Sequence, residues 1–269
     1  MYRRVGVATT FSPRFIAVLA EAGRLSASVE APLCLIHADS FAPDKEDRFR
    51  EALMGLGLDE RAPVYFESGE PVEAILKVQQ DRQIDLLVAG ALETESVHRN
   101  FTGNVARELL RRAPCDLMFY TEPREQPTPP AVVFVSISDF SEFSHEVFTR
   151  AMKAAEQRSA QRLTLIHVQT TFAQAREKVL GAASESQSVE ETVESWLREH
   201  EGSPVELDYH LFCGNTGFTA CEYVQSNGAD LLVMPSHFGH PTQPVFAPAL
   251  DWIIQVIPTN LWVIRKIGR

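Results

Sequence analysis

The sequence predicts an α/β protein built from two tandem domains of the same kind, each a five-stranded, parallel, doubly wound sheet. The first observation is a duplication: residues 33–37 (LCLIH) return as residues 163–167 (LTLIH), and residues 85–88 (DLLV) return unchanged as residues 230–233. The second observation is that strand-like apolar runs alternate with helix-like amphipathic runs in each half. Such alternation with short connections is typical of parallel sheets that carry helices on both faces.

Five strands are predicted in each half from short apolar runs. In the first half they are residues 5–10, 33–38, 64–67, 86–90 and 116–120, and in the second half 132–138, 163–169, 207–212, 231–234 and 261–264. Helical spacing of apolar residues predicts helices between them. We expect the first helix to use Ser12 as its N-cap and Pro13 as its first residue, because both residue types favour those positions.

A proline-rich segment separates the two halves. Four prolines occur within residues 121–130 (TEPREQPTPP), where they disfavour both helix and sheet pairing. The predicted organisation is therefore a first domain over residues 1–122, a linker over residues 123–130 and a second domain over residues 131–269.

Composition and charge exclude several functional classes. The chain of 269 residues is 45% hydrophobic and carries a net charge of −11, so it offers no basic stripe for nucleic acid or for an anionic membrane surface. No apolar run is long enough to span a membrane, and the N-terminus has no signal-peptide core, so we expect a cytoplasmic protein. The four cysteines form no CxxC pair and are expected to be reduced and mostly buried.

Ligands of doubly wound sheets bind beyond the carboxyl ends of the strands, where the strand order reverses. The candidate binding residues at the ends of the first, second and fourth strands are Ala8, Thr9, Thr10, Ala38, Gly90 and Ala91. Thirteen residues after Gly90, the segment Gly103, Asn104 and Val105 starts a helix whose free amides could hold phosphate. On spacing alone, an equally good reading is that Gly90 is a turn residue and Gly103 a helix entry.

Three motifs resemble the universal stress protein family in its tandem form. They are residues 7–13 (VATTFSP), residues 163–168 (LTLIHV) and residues 112–117 (RAPCDL). The resemblance implies flavodoxin-like, adenine-nucleotide-hydrolase-like domains that pack around a pseudo-twofold axis within the chain, with a homodimer as a further state. The ATP-binding branch of the family has Gly-x2-Gly-x9-Gly-Ser/Thr after the fourth strand. Here Gly90 and Gly103 match the outer glycines, while Glu93 and Asn104 replace the other two residues.

The second half departs from the family pattern in a complementary way. The family has an aspartate after the first strand that holds the adenine and ribose end of the nucleotide. The first half has Thr10 there, and the second half has Asp139, a further candidate binding residue, or Ser138 if the strands are aligned by alternation. The second phosphate loop is replaced by residues 235–241 (PSHFGHP), whose prolines remove amide donors. His237 and His240 have the spacing of half a metal site, but no further ligand is near in sequence, so no metal is predicted. His37 and His167 are predicted to make structural hydrogen bonds.

The resemblance implies a stress-response binding or regulatory protein with a degenerate adenine-nucleotide site. ATP or AMP is the expected ligand of the first domain, with Mg²⁺ only alongside ATP, and protein partners would read the state of the segment after Gly90. One alternative is a weak Mg²⁺-dependent ATP hydrolase, although no catalytic residues can be assigned. The other is a scaffold that binds protein partners without a nucleotide.

Overall fold

The computed structural model describes residues 2–91, 104–169, 183–213, 217–238, 245–246 and 257–267. The chain divides into two compact units, Met1–Thr128 (unit 1) and Pro129–Arg269 (unit 2). The boundary falls within the proline-rich segment, where few side chains can join a core.

Unit 1 alternates strands and helices along its whole length. Its strands are β1 (Val5–Thr9), β2 (Leu33–His37), β3 (Val64–Phe66), β4 (Leu86–Gly90) and β5 (Asp116–Tyr120). Its helices are α1 (Phe15–Ser28), α2 (Pro43–Gly55), α3 (Pro71–Asp81) and α4 (Asn104–Arg112). The central strands β1 and β4 are almost entirely buried, as expected of strands that carry helices on both faces.

Unit 2 repeats this order. Its strands are β6 (Val132–Ile137), β7 (Arg162–Gln169), β8 (Glu206–Cys213), β9 (Leu231–Phe238) and β10 (Asn260–Ile267). Its described helices are α5 (Glu142–Gln157), α6 (Ala183–Arg198) and α7 (Gly217–Ser226).

The strand order is β3-β2-β1-β4-β5 in unit 1 and, in the equivalent direction, β8-β7-β6-β9-β10 in unit 2. The recorded pairings within each unit are all parallel. Because crossovers are right-handed and the order reverses at β1, α1 and α2 lie on one face of the unit 1 sheet and α3 on the other. The predicted α/β fold of two tandem, five-stranded, doubly wound sheets is thus confirmed.

The start of α1 differs from the sequence prediction. Ser12 is not the N-cap and Pro13 is not the first helical residue; the helix begins at Phe15, and no side chain caps it. Residues 12–15 instead form a turn in which the Phe15 amide donates to the Ser12 carbonyl at 3.0 Å. The prediction was wrong because the turn after β1 is two residues longer than the Ser-Pro pair suggests, and this places Arg14 at the N-cap position.

Candidate functional site

The unit 1 sheet splits at its carboxyl edge, between β1 and β4. The pairing of β1 with β4 ends at Val7 and Val88, whereas β1 stays paired with β2 as far as Thr9. On the other side, β4 stays paired with β5 as far as Gly90. The last residues of β1 and β4 therefore diverge and leave a crevice where the strand order reverses, which is the usual ligand position in such sheets.

Residues predicted from the sequence form both walls of this crevice. On the β1 side, Thr9 is buried and its hydroxyl donates to the Ile36 carbonyl at 3.4 Å, while Thr10 is exposed and Ala8 is half-buried. Thr10 is therefore the polar side chain that faces solvent at this wall. Ala38 is half-buried just beyond the end of β2.

The opposite wall consists of Gly90 and Ala91. Gly90 is exposed. Ala91 is buried, and its amide donates a hydrogen bond to the Tyr120 carbonyl at 2.9 Å. A methyl group built on Gly90 would lie 3.6 Å from Val18 Cγ2, an ordinary contact, so the packing around it does not require glycine. Because Gly90 has no side chain, a ligand can approach the backbone closely at this position.

The predicted phosphate-binding amides are only partly within the described residues. Gly103 lies outside them, as does the segment 92–102. The backbone of α4 begins at Asn104, and the Val105 side chain is 37% exposed. The proposed role of these amides therefore stays a prediction.

A cluster of aromatic side chains lies near the carboxyl ends of β2 and β3, next to the β1 wall of the crevice. The Phe11 ring lies 5.1 Å from the His37 ring and 4.6 Å from the Phe49 ring, and the Arg48 guanidinium lies 3.8 Å above Phe11. His37 Nδ1 donates to the Thr9 carbonyl at 3.1 Å, which confirms its predicted structural hydrogen bond. The cluster therefore packs against and supports the crevice wall that contains Thr9 and Thr10.

Arg14 is a site residue that the sequence reasoning missed. Its guanidinium donates to the Thr121 carbonyl at 2.9 Å, and Thr121 directly follows β5. The side chain therefore reaches from the start of α1 toward the far side of β4. Its position just after the candidate Thr10 was visible in the sequence, but its direction was not, because that depends on where α1 begins.

The unit 2 sheet splits at the equivalent place, between β6 and β9. Their pairing ends at Val135 and Val233, although β6 pairs with β7 as far as Ile137. The chemistry of the walls differs from unit 1. Pro235 takes the place of Gly90 and is buried, and the Val245 carbonyl accepts from the His237 amide and the Ser236 hydroxyl, both at 2.8 Å. Val245 therefore lies against the end of β9.

Asp139 lies in unit 2, in the turn before α5. Its Oδ1 accepts from the Ser141 amide at 2.9 Å and the Ser144 hydroxyl at 2.8 Å. Partial burial opposes ionisation, but these hydrogen bonds and the nearby His237 hold the pKa of the carboxyl below its ordinary value. The carboxylate is thus engaged in organising the first turn of α5, where the Ser141 hydroxyl also caps the helix.

The strand register decides which residue corresponds to Thr10. Thr9 lies opposite His37, and Ile137 lies opposite His167, so Thr10 corresponds to Ser138. The Phe140 ring nevertheless packs 4.7 Å from His167, as Phe11 packs on His37. Unit 2 therefore has one more residue than unit 1 between the strand and the phenylalanine, and Asp139 belongs to this longer turn.

The described part of the chain offers neither a cluster of metal ligands nor a membrane-spanning helix. Within it, no group of three or more His, Cys, Asp or Glu side chains is arranged to hold a metal ion. His240 lies outside the described residues, so the metal-like spacing of His237 and His240 stays a feature of the sequence alone. None of the helices described is both long enough and apolar enough to cross a membrane.

Comparisons with known proteins agree with this architecture. The family model described as "Universal stress protein family" matches residues 59–120 and 134–265. A search of curated proteins finds no match.

Among solved structures, a crystal structure described as a universal stress protein, from Pseudomonas aeruginosa UCBPP-PA14, is 13% identical, with a TM-score of 0.74 over 98% of this chain and 93% of the other. A protein of unknown function from Pseudomonas aeruginosa PAO1 is 14% identical, with a TM-score of 0.72 over 98% and 92%.

A third structure, a universal stress protein from Archaeoglobus fulgidus DSM 4304, is 13% identical, with a TM-score of 0.65 over 97% and 98%. At these identities the structures support the fold, and the family model, which matches both units and more than half of the residues, establishes the family. The chain belongs to the universal stress protein family.

Proposed function

We propose that the chain is a stress-response binding protein that takes up one adenine nucleotide, ATP or AMP, in the crevice of unit 1. The observation that carries the proposal is the split between β1 and β4, with exposed Thr10 on one wall and exposed Gly90 on the other. Backbone and hydroxyl groups at such a position are suited to a nucleotide.

The two units support different roles. In unit 1 the residue on the β4 wall has no side chain and is exposed, so a ligand can approach the backbone closely. In unit 2 the corresponding residue is a buried proline, and Val245 engages the end of β9. Unit 1 is therefore proposed as the nucleotide-binding unit, and unit 2 as a structural or partner-binding copy.

The proposal favours binding over catalysis. The described groups at the unit 1 crevice are hydroxyls, backbone groups and a guanidinium, which can position a nucleotide. A hydrolase needs in addition a group that orients water or holds Mg²⁺, and Glu93, the residue that replaces the middle glycine of the family loop, lies outside the described residues. We therefore propose a binding or regulatory protein, with weak Mg²⁺-dependent ATP hydrolysis as the alternative.

The test is calorimetric titration of the full chain with ATP and with AMP, each with and without Mg²⁺. The test variant is Gly90→Asp, which places a negative charge at an exposed position on the crevice wall. The matched control is Gly55→Asp at the end of α2, where a new side chain would meet nothing within 4 Å. Because α2 runs away from the carboxyl edge of the sheet, this control leaves the crevice unchanged.

The proposal predicts saturable binding to the natural protein, strongly weakened binding to Gly90→Asp, and unchanged binding to Gly55→Asp. Phosphate release measured on the same samples separates the two nucleotide functions, since turnover that requires Mg²⁺ and is lost in Gly90→Asp would favour the hydrolase. The absence of binding to any of these ligands would instead favour the scaffold that acts through protein partners.

A further inference from the structure

Arg14 is held across the carboxyl end of β4. It directly precedes α1, and its carbonyl accepts the Val18 amide at 2.9 Å, so Val18 lies one helical turn further along. Val18 Cγ2 lies 3.6 Å from the position that a Cβ on Gly90 would occupy. The first turn of α1 therefore runs alongside Gly90, with Arg14 at its start.

The Arg14 side chain then extends to the strand on the far side of β4. Its Nη1 donates to the Thr121 carbonyl at 2.9 Å. Thr121 follows Tyr120, whose carbonyl accepts the Ala91 amide at 2.9 Å. The guanidinium is thus fixed beside the residues that leave β4, between the exit of β1 and the exit of β5.

This position gives the crevice a fixed positive charge. A guanidinium carries five N–H donors, and one of them binds the Thr121 carbonyl. The group can therefore donate to a further acceptor while it stays anchored. It is half-buried, and the first turn of α1 contains no acidic residue. A partly buried, anchored guanidinium suits phosphate, which it can bind through paired hydrogen bonds.

Unit 2 places a guanidinium at the equivalent corner by a different route. Leu86 and Leu231 hold the same register position relative to β1 and β6, so Ala91 corresponds to Ser236 and Thr121 to Arg265. Arg265 is only 7% exposed, donates to the Ser236 hydroxyl, and lies 5.4 Å from the centre of the Phe246 ring. The Arg265 guanidinium is therefore buried in the interior of unit 2, whereas Arg14 is half-buried at the crevice of unit 1.

We propose that Arg14 recognises the phosphate of the ligand in the unit 1 crevice and makes the site selective for phosphorylated nucleosides. The inference rests on the proposed nucleotide-binding function and adds to it the residue that sets ligand class. Arg14 acts in recognition and has no part in bond making or breaking.

The experiment compares Arg14→Gln with the natural protein by calorimetry, using ATP, AMP, adenosine and inorganic tripolyphosphate as separate probes. The control is Arg111→Gln, which removes the same charge from an exposed position near the end of α4. Circular dichroism melting of each variant shows whether the fold is retained. An Arg14→Lys variant tests whether charge alone is enough, since lysine lacks the planar fork of donors.

The expected result is a loss of ATP affinity of roughly ten- to hundredfold in Arg14→Gln, the size typical of a hydrogen bond to a charged group. Adenosine affinity should change by less than about twofold, and Arg14→Lys should recover only part of the loss. Equal losses for ATP and adenosine, or none for ATP, would overturn the inference and leave nucleotide binding in place.

The tripolyphosphate titration separates the inference from the function on which it rests. If the natural protein binds neither ATP nor AMP but binds tripolyphosphate, and only Arg14→Gln loses that binding, the role of Arg14 stands and the nucleotide function fails. If the natural protein binds none of the phosphorylated probes, both proposals are overturned.

Discussion

Asp85 and Asp230 make the same pair of backbone contacts in the two units. Asp85 accepts the amides of Arg3 and Arg4, with its shortest contact at 2.9 Å, and Asp230 accepts the amides of Ala131 and Val132 at 2.9 and 3.0 Å. Each aspartate directly precedes the fourth strand of its unit and ties down the entry to the first. The duplicated DLLV motif thus preserves a joint between the two central strands.

The first prediction concerns this joint. Asp230→Ala should lower the free energy of unfolding of unit 2 by about 1–3 kcal/mol, because two amides lose a charged acceptor. Urea unfolding followed by circular dichroism measures the change. Glu222→Ala, an exposed acidic residue on α7, is the control and should differ little from the natural protein. A loss in the control as large as in Asp230→Ala would contradict this reading of the joint.

The second prediction concerns the aromatic cluster beside the crevice. Phe49 is fully buried against Phe11, Phe15 and His37, so Phe49→Ala should cost about 3–5 kcal/mol of stability. Phe41 touches the same cluster through Phe66 but is 60% exposed, and Phe41→Ala should cost much less. Thermal and urea unfolding of the two variants test the contrast, which would fail if both losses were similar.

The third prediction concerns pH. The pKa of Asp139 is held below its ordinary value in the folded chain, so the ionised form contributes stability that is present above about pH 4 and is lost as the pH falls through the lowered pKa. Asp139→Asn should therefore destabilise the protein at pH 7. The difference in melting temperature between the variant and the natural protein should become smaller as the pH is lowered toward 3. Melting temperatures measured across this range provide the test; a difference that stays constant with pH would count against it.

The fourth prediction concerns thiol reactivity. Cys34, Cys115 and Cys221 are buried, and burial raises the pKa of Cys34 to about 11 and that of Cys221 to about 12. The side chain of Cys213 is outside the described residues. A Cys213→Ser variant should therefore show no rapid reaction with a disulfide reagent at pH 8 until denaturant is added, since the attacking species is the thiolate. Rapid labelling of the folded variant would show that one of the three is accessible.

The fold could be predicted from the sequence, but only part of the candidate site could. Parallel strands were predictable because buried strands must be apolar along their length, as residues 86–90 and 231–234 are. Thr10 and Gly90 were predictable as crevice residues because strand ends share one edge of a parallel sheet.

The residues that the sequence did not reveal depend on turns and on side-chain direction. The Ser12-Pro13 pair suggested a helix start, whereas the backbone makes a turn there and starts the helix at Phe15. Arg14 and Arg265 occupy different positions in their units, yet both bring a guanidinium to the corner beyond the fourth strand. No repeat in the sequence links them, because the correspondence is spatial.

The most direct test of the central claim is the number of ATP molecules that one chain binds, and which unit holds them. Calorimetry of the natural protein, Gly90→Asp and Asp139→Asn gives both answers. The account predicts one ATP per chain, with binding strongly weakened by Gly90→Asp and retained in Asp139→Asn. Two ATP molecules per chain, or binding that survives Gly90→Asp and disappears in Asp139→Asn, would contradict it.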